Sequence, residues 1–513
     1  MTEKSLLVKD NRFHFIILFA IAFSVIPILF EKVLPYDMLE NLYWGKEWQL
    51  GYDKHPPLFA WISYAFFRLC GSIPDSLFFL TQLNLLLGCF FVFKISNLIG
   101  LDEDQSFSSV LFFLCSGASV LGNTKFNATT ILCSLLPMLF YFCIRIMKFR
   151  KTTDAVLFGL VAMLTCISKY IALLYLGIMF LFLIVDRDCR SLLKTPLPYI
   201  AVCVFVISIS WHVLWIFDSD FVTLRYAMEK SIAGCSHRLE SFKFLGMLLL
   251  FFGTSFWALK YSTKNWFLMK KYSSLPVEAR LIFHITFTPI VLLFFLSLIF
   301  GMQIGSYWGA SMGMLLGVWF CILNKEINYD FLFRFTKRIF VFFIVGMVLM
   351  MYGTRIFSLW DLSKQNKIIF QTINNEQRIK SESKLVHDAY LLADVNKIAK
   401  IIENKKRKIL GDRKISILHA SKEAVFLHAY LEDSPSLYNA EKNRSYGMYD
   451  FKKPGIHLLA RMLIKRSDAK NPVESEYLRE VHTSNTELIA SGDVHVTENV
   501  YVYYVFVEVK DFR

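Results

Sequence analysis

Apolar stretches long enough to cross a lipid bilayer recur through the first 355 residues of this chain, and they limit its fold more than any motif does. Runs such as Phe13–Phe30 and Leu281–Phe300 approach the roughly 20 residues that carry a helix across a membrane. Backbone polar groups in the hydrocarbon must be satisfied within the segment, so these runs read as helices. Candidate spans fall at 13–30, 76–99, 107–122, 128–147, 155–168, 170–185, 197–217, 243–259, 281–301, 306–323 and 339–354. The reading is an all-α polytopic membrane domain over residues 1–355, with about 11–13 transmembrane helices, followed by a soluble domain over 356–513. Only 19% of the residues are charged, against about 25% in ordinary soluble domains, which excludes a string of soluble domains.

The net charge is +14, which in a soluble protein would raise nucleic acid as a partner. Here the basic residues lie between apolar runs, at Lys4/Lys9/Arg12, Arg145/Lys148/Arg150/Lys151, Arg187/Arg190/Lys194, Lys260/Lys264/Lys270/Lys271 and Arg334/Lys337/Arg338. Positive residues favour the cytoplasmic side, so the clusters predict a cytoplasmic N-terminus, and an odd number of spans puts the C-terminal domain outside. Membrane lipids are the expected surroundings, and no nucleic acid is expected. The ten cysteines, Cys70 to Cys321, fall mostly within apolar segments and show no disulfide or zinc spacing.

From about 356 the composition turns charged and mixed. Helical patterning covers 367–406, Lys414–Ala420 reads as a strand, and Asp493–Thr497 with Val500–Lys510 alternate around a Glu-Asn turn as a hairpin. A small α/β or α+β domain results.

Chemistry-bearing residues concentrate in the first external loop, 31–75. Pro35–Leu50 and Pro57–Leu69 read as two short interfacial helices, and Asp37, Glu40, Trp44 and Glu47 share a face of the first. Between them Gly51-Tyr52-Asp53-Lys54-His55-Pro56-Pro57 breaks one helix and restarts the next, since proline suits a first helical turn. Lys169 is a separate signal, because an ammonium within apolar sequence usually faces protein or a water-filled cavity.

Leu34-Pro35-Tyr36-Asp37-Met38-Leu39-Glu40, followed by Gly51-Tyr52-Asp53-Lys54-His55-Pro56-Pro57-Leu58, resembles the first periplasmic loop of bacterial GT-C glycosyltransferases. That group is related to the protein O-mannosyltransferases and the lipid A aminoarabinose transferase. Further matches follow in the family's order: Lys125-Phe126-Asn127-Ala128, Ser168-Lys169-Tyr170, Thr195-Pro196-Leu197-Pro198-Tyr199, Asp220-Phe221 with Arg225-Tyr226, and Tyr307-Trp308-Gly309.

The resemblance implies a hexosyl- or pentosyltransferase in the bacterial inner membrane. Its donor would be a polyprenyl-phosphate-linked sugar, and its acceptor lipid A, lipopolysaccharide or another envelope lipid or glycan on the periplasmic face, with inversion at the sugar. It implies Asp37 as catalytic base, with Glu40 one turn away as substitute. Lys54, Lys169, Arg225 and Arg238 would meet the donor phosphate, and Tyr52, Asp53, His55, Asn127 and Tyr170 the substrates. Many relatives carry Asp where this chain has Asn127, which keeps hydrogen bonding without the charge. Some bind a divalent metal through a loop Glu and a later His, where this chain has Lys230; Asp53, His55 and His237 could regroup as ligands, and no metal is assigned. A transporter or lipid flippase is the alternative, since Lys94 and Lys169 within apolar helices also suit a transport path. The absence of internal repeats counts against it.

Overall fold

The computed structural model describes residues 3–31, 34–120, 124–231, 239–264, 271–368, 395–420, 427–433, 436–437, 455–464, 486–495 and 500–509. Among the described residues, sixteen helices run through the first part: α1 Glu3–Phe30, α2 Tyr36–Glu47, α3 Leu58–Leu69, α4 Ser76–Leu98, α5 Glu103–Leu114, α6 Gly117–Val120, α7 Leu132–Phe149, α8 Thr152–Cys166, α9 Ala172–Val185, α10 Leu197–Asp218, α11 Val222–Ser231, α12 Glu240–Ser262, α13 Val277–Phe300, α14 Gly309–Met312, α15 Leu316–Leu323 and α16 Tyr329–Ile368. Seven of them contain segments long and apolar enough to cross a membrane, in α1, α4, α7, α10, α12, α13 and α16. The protein is therefore a multi-pass membrane protein.

The other four expected spans are shorter or broken. At 15 and 14 residues, α8 and α9 reach only about 22 Å, short of a hydrocarbon core of about 30 Å. The run 107–122 breaks at Cys115-Ser116 between α5 and α6, where the Ser116 hydroxyl donates to the Phe113 carbonyl at 2.6 Å and the Ser119 hydroxyl to Leu114 at 2.9 Å. Side-chain donors of this kind let a helix break away from water. The run 306–323 divides in the same way into a 3₁₀ turn, α14 and α15.

Contacts divide the chain into two compact units, one of 1–25, 48–70 and 76–345, the other of 26–47, 71–75 and 346–513. In the first, α4 and α7 approach so closely that a Cβ on Gly88 would lie 2.1 Å from the Cys133 carbonyl oxygen, the close packing that small residues permit in membranes. The phenylalanines supply much of the remaining packing: Phe15 and Phe19 of α1 lie 5.6 and 5.5 Å from Phe340 of α16.

In the second unit a five-stranded sheet has the order β2-β1-β3-β5-β4, with β1 Ile415–Ala420, β2 Ser436–Leu437, β3 Gly455–Ile464, β4 Thr486–His495 and β5 Val500–Val509. β1 is parallel to β2 and β3, whereas β5 is antiparallel to β3 and β4. The expected strand at 414–420 is β1, and the expected hairpin is β4–β5, with β4 beginning earlier, at Thr486; its Glu-Asn turn lies outside the described residues. Helix Val395–Leu410 is docked by Lys406, which bonds Glu403 at 3.0 Å and Asp433 at 2.7 Å, while Asp433 also accepts from the Ile415 amide at 2.8 Å. Burial pulls the Lys406 ammonium down and its two carboxylate partners more than offset this, leaving it above the usual lysine value. α2 packs within this unit, against β2 and the short helix Leu427–Tyr430.

Candidate active site

The two helices expected in loop 31–75 form as α2 and α3. Prolines start α3: Pro57 stands at its N-cap, and the amides of Ala60 and Trp61 both donate to the Pro57 carbonyl at 3.1 Å. The amide of Leu58 donates to the Ile167 carbonyl at 3.1 Å, which ties the start of α3 to the end of α8. The connecting turn is closed by the Tyr52 amide donating to the His55 carbonyl at 3.1 Å, and the Thr223 hydroxyl of α11 holds the Tyr52 carbonyl at 2.6 Å. Asp53, Lys54 and His55 are half-buried on this turn, and the Tyr52 side chain is buried. The His55 ring stands edge-on to Phe59 at 5.8 Å and to Tyr226 at 6.5 Å.

A residue absent from the sequence expectations organises this region. His212, 1% exposed on α10, places Nδ1 2.9 Å from the Leu50 carbonyl and Nε2 3.0 Å from the Tyr170 hydroxyl. A carbonyl only accepts, so Nδ1 carries a proton, and in the neutral imidazole Nε2 then accepts from the Tyr170 hydroxyl. The imidazole stacks on Trp215 at 5.6 Å, and a parallel series of indoles, Trp48 on Trp61 at 5.2 Å and Trp61 on Trp211 at 5.6 Å, runs beside it. Its one sequence signal was an ionisable residue inside an apolar span.

Gly51 touches the face of Trp215, and a Cβ there would lie 2.2 Å from the ring. Gly51→Ala is therefore expected to displace the turn or the indole, costing about 1–3 kcal/mol as overpacking does. Thermal melting checks it: Trp215→Leu makes room, so the double variant should melt higher than additivity of the two single changes allows.

Lys169 and Tyr170 lie half-buried at the junction of α8 and α9. The Lys169 ammonium donates to the Thr129 hydroxyl at 2.6 Å and sits 4.6 Å from the centre of the Trp308 ring, a cation–π contact. Asn127 stands in the same segment as Thr129, but its Oδ1 accepts from the amides of Thr129 and Thr130 at 2.9 and 3.0 Å. Its carboxamide oxygen is thus committed to capping the turn that leads into α7.

Thus Lys169, Tyr170 and the Tyr52–His55 turn are linked through His212, Leu50 and Ile167. Arg225 is exposed, with its guanidinium on the Asp220 carbonyl. Arg238 and His237 lie outside the described residues, as does the side chain of Lys230. Asp37 and Glu40 belong to the second unit, half-buried on α2, whose Met38, Leu39, Leu42 and Trp44 are buried. Burial also lowers the pKa of Lys46 on α2, against the pull of Glu47 and Asp433. Among the described residues no group of three or more His, Cys, Asp or Glu is placed to hold a metal ion. Lys94, the second lysine on which the transport alternative rests, is exposed near the end of α4 with its ammonium 5.4 Å from the centre of the Phe90 ring, as a snorkelling lysine would be.

Residues 54–215 match the sequence model of the family described as dolichyl-phosphate-mannose-protein mannosyltransferase. The matched segment encloses Lys54, His55, Asn127, Lys169, Tyr170, His212 and Trp215. A search of curated proteins finds no match. Among solved structures, the chain is similar to ArnT from Cupriavidus metallidurans bound to undecaprenyl phosphate, at 12% identity and a TM-score of 0.53 over 96% of this chain and 98% of that one. The apo state of the same protein gives 13% identity, a TM-score of 0.53 and the same coverage. The resemblance carried by the loop motifs is borne out: the chain has the ArnT fold, and residues 54–215 within it carry the dolichyl-phosphate-mannose-protein mannosyltransferase match.

Proposed function

We propose that the protein is a membrane glycosyltransferase that moves a sugar from a polyprenyl-phosphate carrier to a lipid A, lipopolysaccharide or other envelope acceptor at the outer face of the bacterial inner membrane. The observation that carries this reading is Lys169, half-buried between Thr129 and Trp308 inside the segment that matches the mannosyltransferase family. A poorly solvated ammonium of this kind suits a leaving phosphate. Further support comes from the shared fold with a protein whose solved structure holds undecaprenyl phosphate.

In this reading the acceptor hydroxyl attacks the anomeric carbon as Asp37 takes its proton. The bond from that carbon to the carrier's phosphate oxygen breaks, and the electron pair leaves on polyprenyl phosphate, where Lys54 and Lys169 meet the charge. Asn127 and the half-buried Asp53 and His55 hold the sugar, and the buried Tyr52 positions the turn that carries the last two. The test is turnover by purified protein in detergent from a polyprenyl-phosphate sugar, read by mass spectrometry of donor and acceptor. An enzyme works without a sealed compartment; a transporter or flippase does not, and absence of transfer with every carrier and envelope acceptor tried rejects the proposal. Comparing lipid A and glycans from cells with and without the protein names the sugar and acceptor.

The orientation within this proposal places Lys4 and Lys271 in the cytoplasm and His55 with the C-terminal sheet outside, following the basic clusters. In a cysteine-free background, a cysteine at position 55 should react with an impermeant reagent on intact cells and one at 271 should not. The reverse pattern would invert the topology.

A further inference from the structure

At the end of α9 away from Lys169, a cavity of about 680 Å³ opens between α9 and α13. Its polar end is built from the ion pairs that close the α9–α10 connection. Arg280 donates to both oxygens of Asp186 at 2.8 and 3.0 Å, to the Leu275 carbonyl at 2.7 Å, and to Asp188. Burial would push the Asp186 carboxyl up, but Arg280 overcomes this and holds it below the usual range, so the pair is ionised. The Tyr272 hydroxyl and His284 Nε2, 2.9 Å apart, continue the polar surface. Below it Ile178, Phe182 and Leu292 make an apolar wall.

The dimensions match one leaflet. Arg280 and Leu292 are 12 positions apart on α13, about 18 Å along the axis, and half of a bilayer's hydrocarbon core is about 15 Å. The charged residues cluster where both helices end, which places them at headgroup level and the apolar wall in the hydrocarbon. An open groove at that depth is filled by a lipid, and the charges decide which. Asp186 and Asp188 balance Arg187 and Arg280, so the lining offers no excess of either sign. Arg280 is committed to protein acceptors, and among the lining residues Arg187, exposed at the mouth, is the guanidinium left for a phosphate. The Asp188 side chain is 66% exposed, and its carboxylate can take an ammonium.

We propose that this cavity binds a phospholipid with a zwitterionic phosphoethanolamine headgroup, its phosphate on Arg187, its ammonium on Asp188 and one acyl chain along Ile178, Phe182 and Leu292. A polyprenyl monophosphate brings negative charge to a lining that is already balanced, and no ammonium for the exposed side of the Asp188 carboxylate, whose other oxygen Arg280 holds. The site is separate from the proposed sugar-transfer residues and does not depend on that function.

The test uses delipidated full-length protein supplied with phosphatidylethanolamine, phosphatidylcholine or phosphatidylglycerol, with retained lipid measured by native mass spectrometry and stability by thermal melting. Phosphatidylethanolamine is expected to be retained and to raise the melting temperature, as a ligand of the folded state must. Phosphatidylcholine has no ammonium N–H to donate, and should be retained about tenfold less, the equivalent of one charge-assisted hydrogen bond. Asp188→Asn leaves the Asp186–Arg280 pair in place and should erase the preference. Leu292→Trp fills the acyl slot without touching the polar end and should cut retention of phosphatidylethanolamine, which keeps the proposal testable should Asp188→Asn misfold. Equal retention of all three lipids, retention unchanged in Leu292→Trp, or displacement of phosphatidylethanolamine by an equal concentration of polyprenyl monophosphate overturns it.

Discussion

Asp37→Asn is expected to lower turnover by about 10²–10⁴-fold, the usual loss on removing a general base, with donor binding close to unchanged. The carboxamide has the shape of the carboxylate and can still accept a hydrogen bond, but it cannot take the acceptor's proton. Asp37 stands in the first turn of α2, half-buried, with Glu40 one turn further along the same face. The neighbouring Met38, Leu39, Leu42 and Trp44 are buried and fix the helix, so the substitution is expected to leave the fold intact. Glu40→Gln should reduce turnover less. A larger loss in Glu40→Gln moves the base by one turn within the same helix, and near-wild-type turnover in both folded variants removes α2 from the chemistry. Transfer through a single displacement also requires an inverted anomeric centre in the product, which NMR of the glycoside reads directly; a retained centre rejects the one-step route.

What could be read from the chain followed from how local each feature is. An uninterrupted apolar helix declares itself by run length, and the spans in α1, α4, α7, α10, α12, α13 and α16 formed where the runs lay. Run length says nothing about a break that side-chain hydroxyls stabilise, and so 107–122 looked continuous although Ser116 and Ser119 satisfy the carbonyls of its interruption. β1 and β5 were visible and β4 only at its last three residues, 493–495, whereas β3, Gly-Ile-His-Leu-Leu-Ala-Arg-Met-Leu-Ile, lies between β1 and β5 and its apolar run does not alternate. A period-two search has no signal in such a strand. The site divides in the same way. The Gly-Tyr-Asp-Lys-His-Pro-Pro turn and the Ser-Lys-Tyr junction were legible as local breaks with charge. His212 was not, because the Leu50 carbonyl that gives it a role is 162 positions away in the sequence. Asn127 was legible as a position, but its oxygen turns out to serve the backbone two and three residues on.

Lys169→Met is expected to weaken use of the polyprenyl-phosphate donor about tenfold to a hundredfold, the range for losing one charge-assisted hydrogen bond to a phosphate. Methionine keeps the length and apolar stem of the side chain, so packing against Trp308 is retained while the ammonium is removed. The effect should appear in donor KM and in competition by free polyprenyl phosphate, with acceptor KM little changed. Lys54→Ala, on the turn held by Thr223 and His55, should act in the same direction. Lys54→Arg should restore only part of the affinity, because a planar fork does not reproduce the contacts of a compact ammonium. Arg225 is exposed and already bonded to the Asp220 carbonyl, so Arg225→Ala should change donor use less than either lysine substitution. Donor affinity unaltered in both Lys169→Met and Lys54→Ala would take the carrier phosphate away from this cluster. A loss in Lys169→Met accompanied by a lowered melting temperature, but with no change in competition by free polyprenyl phosphate, would assign Lys169 to holding Thr129 and Trp308 in place rather than to the leaving group.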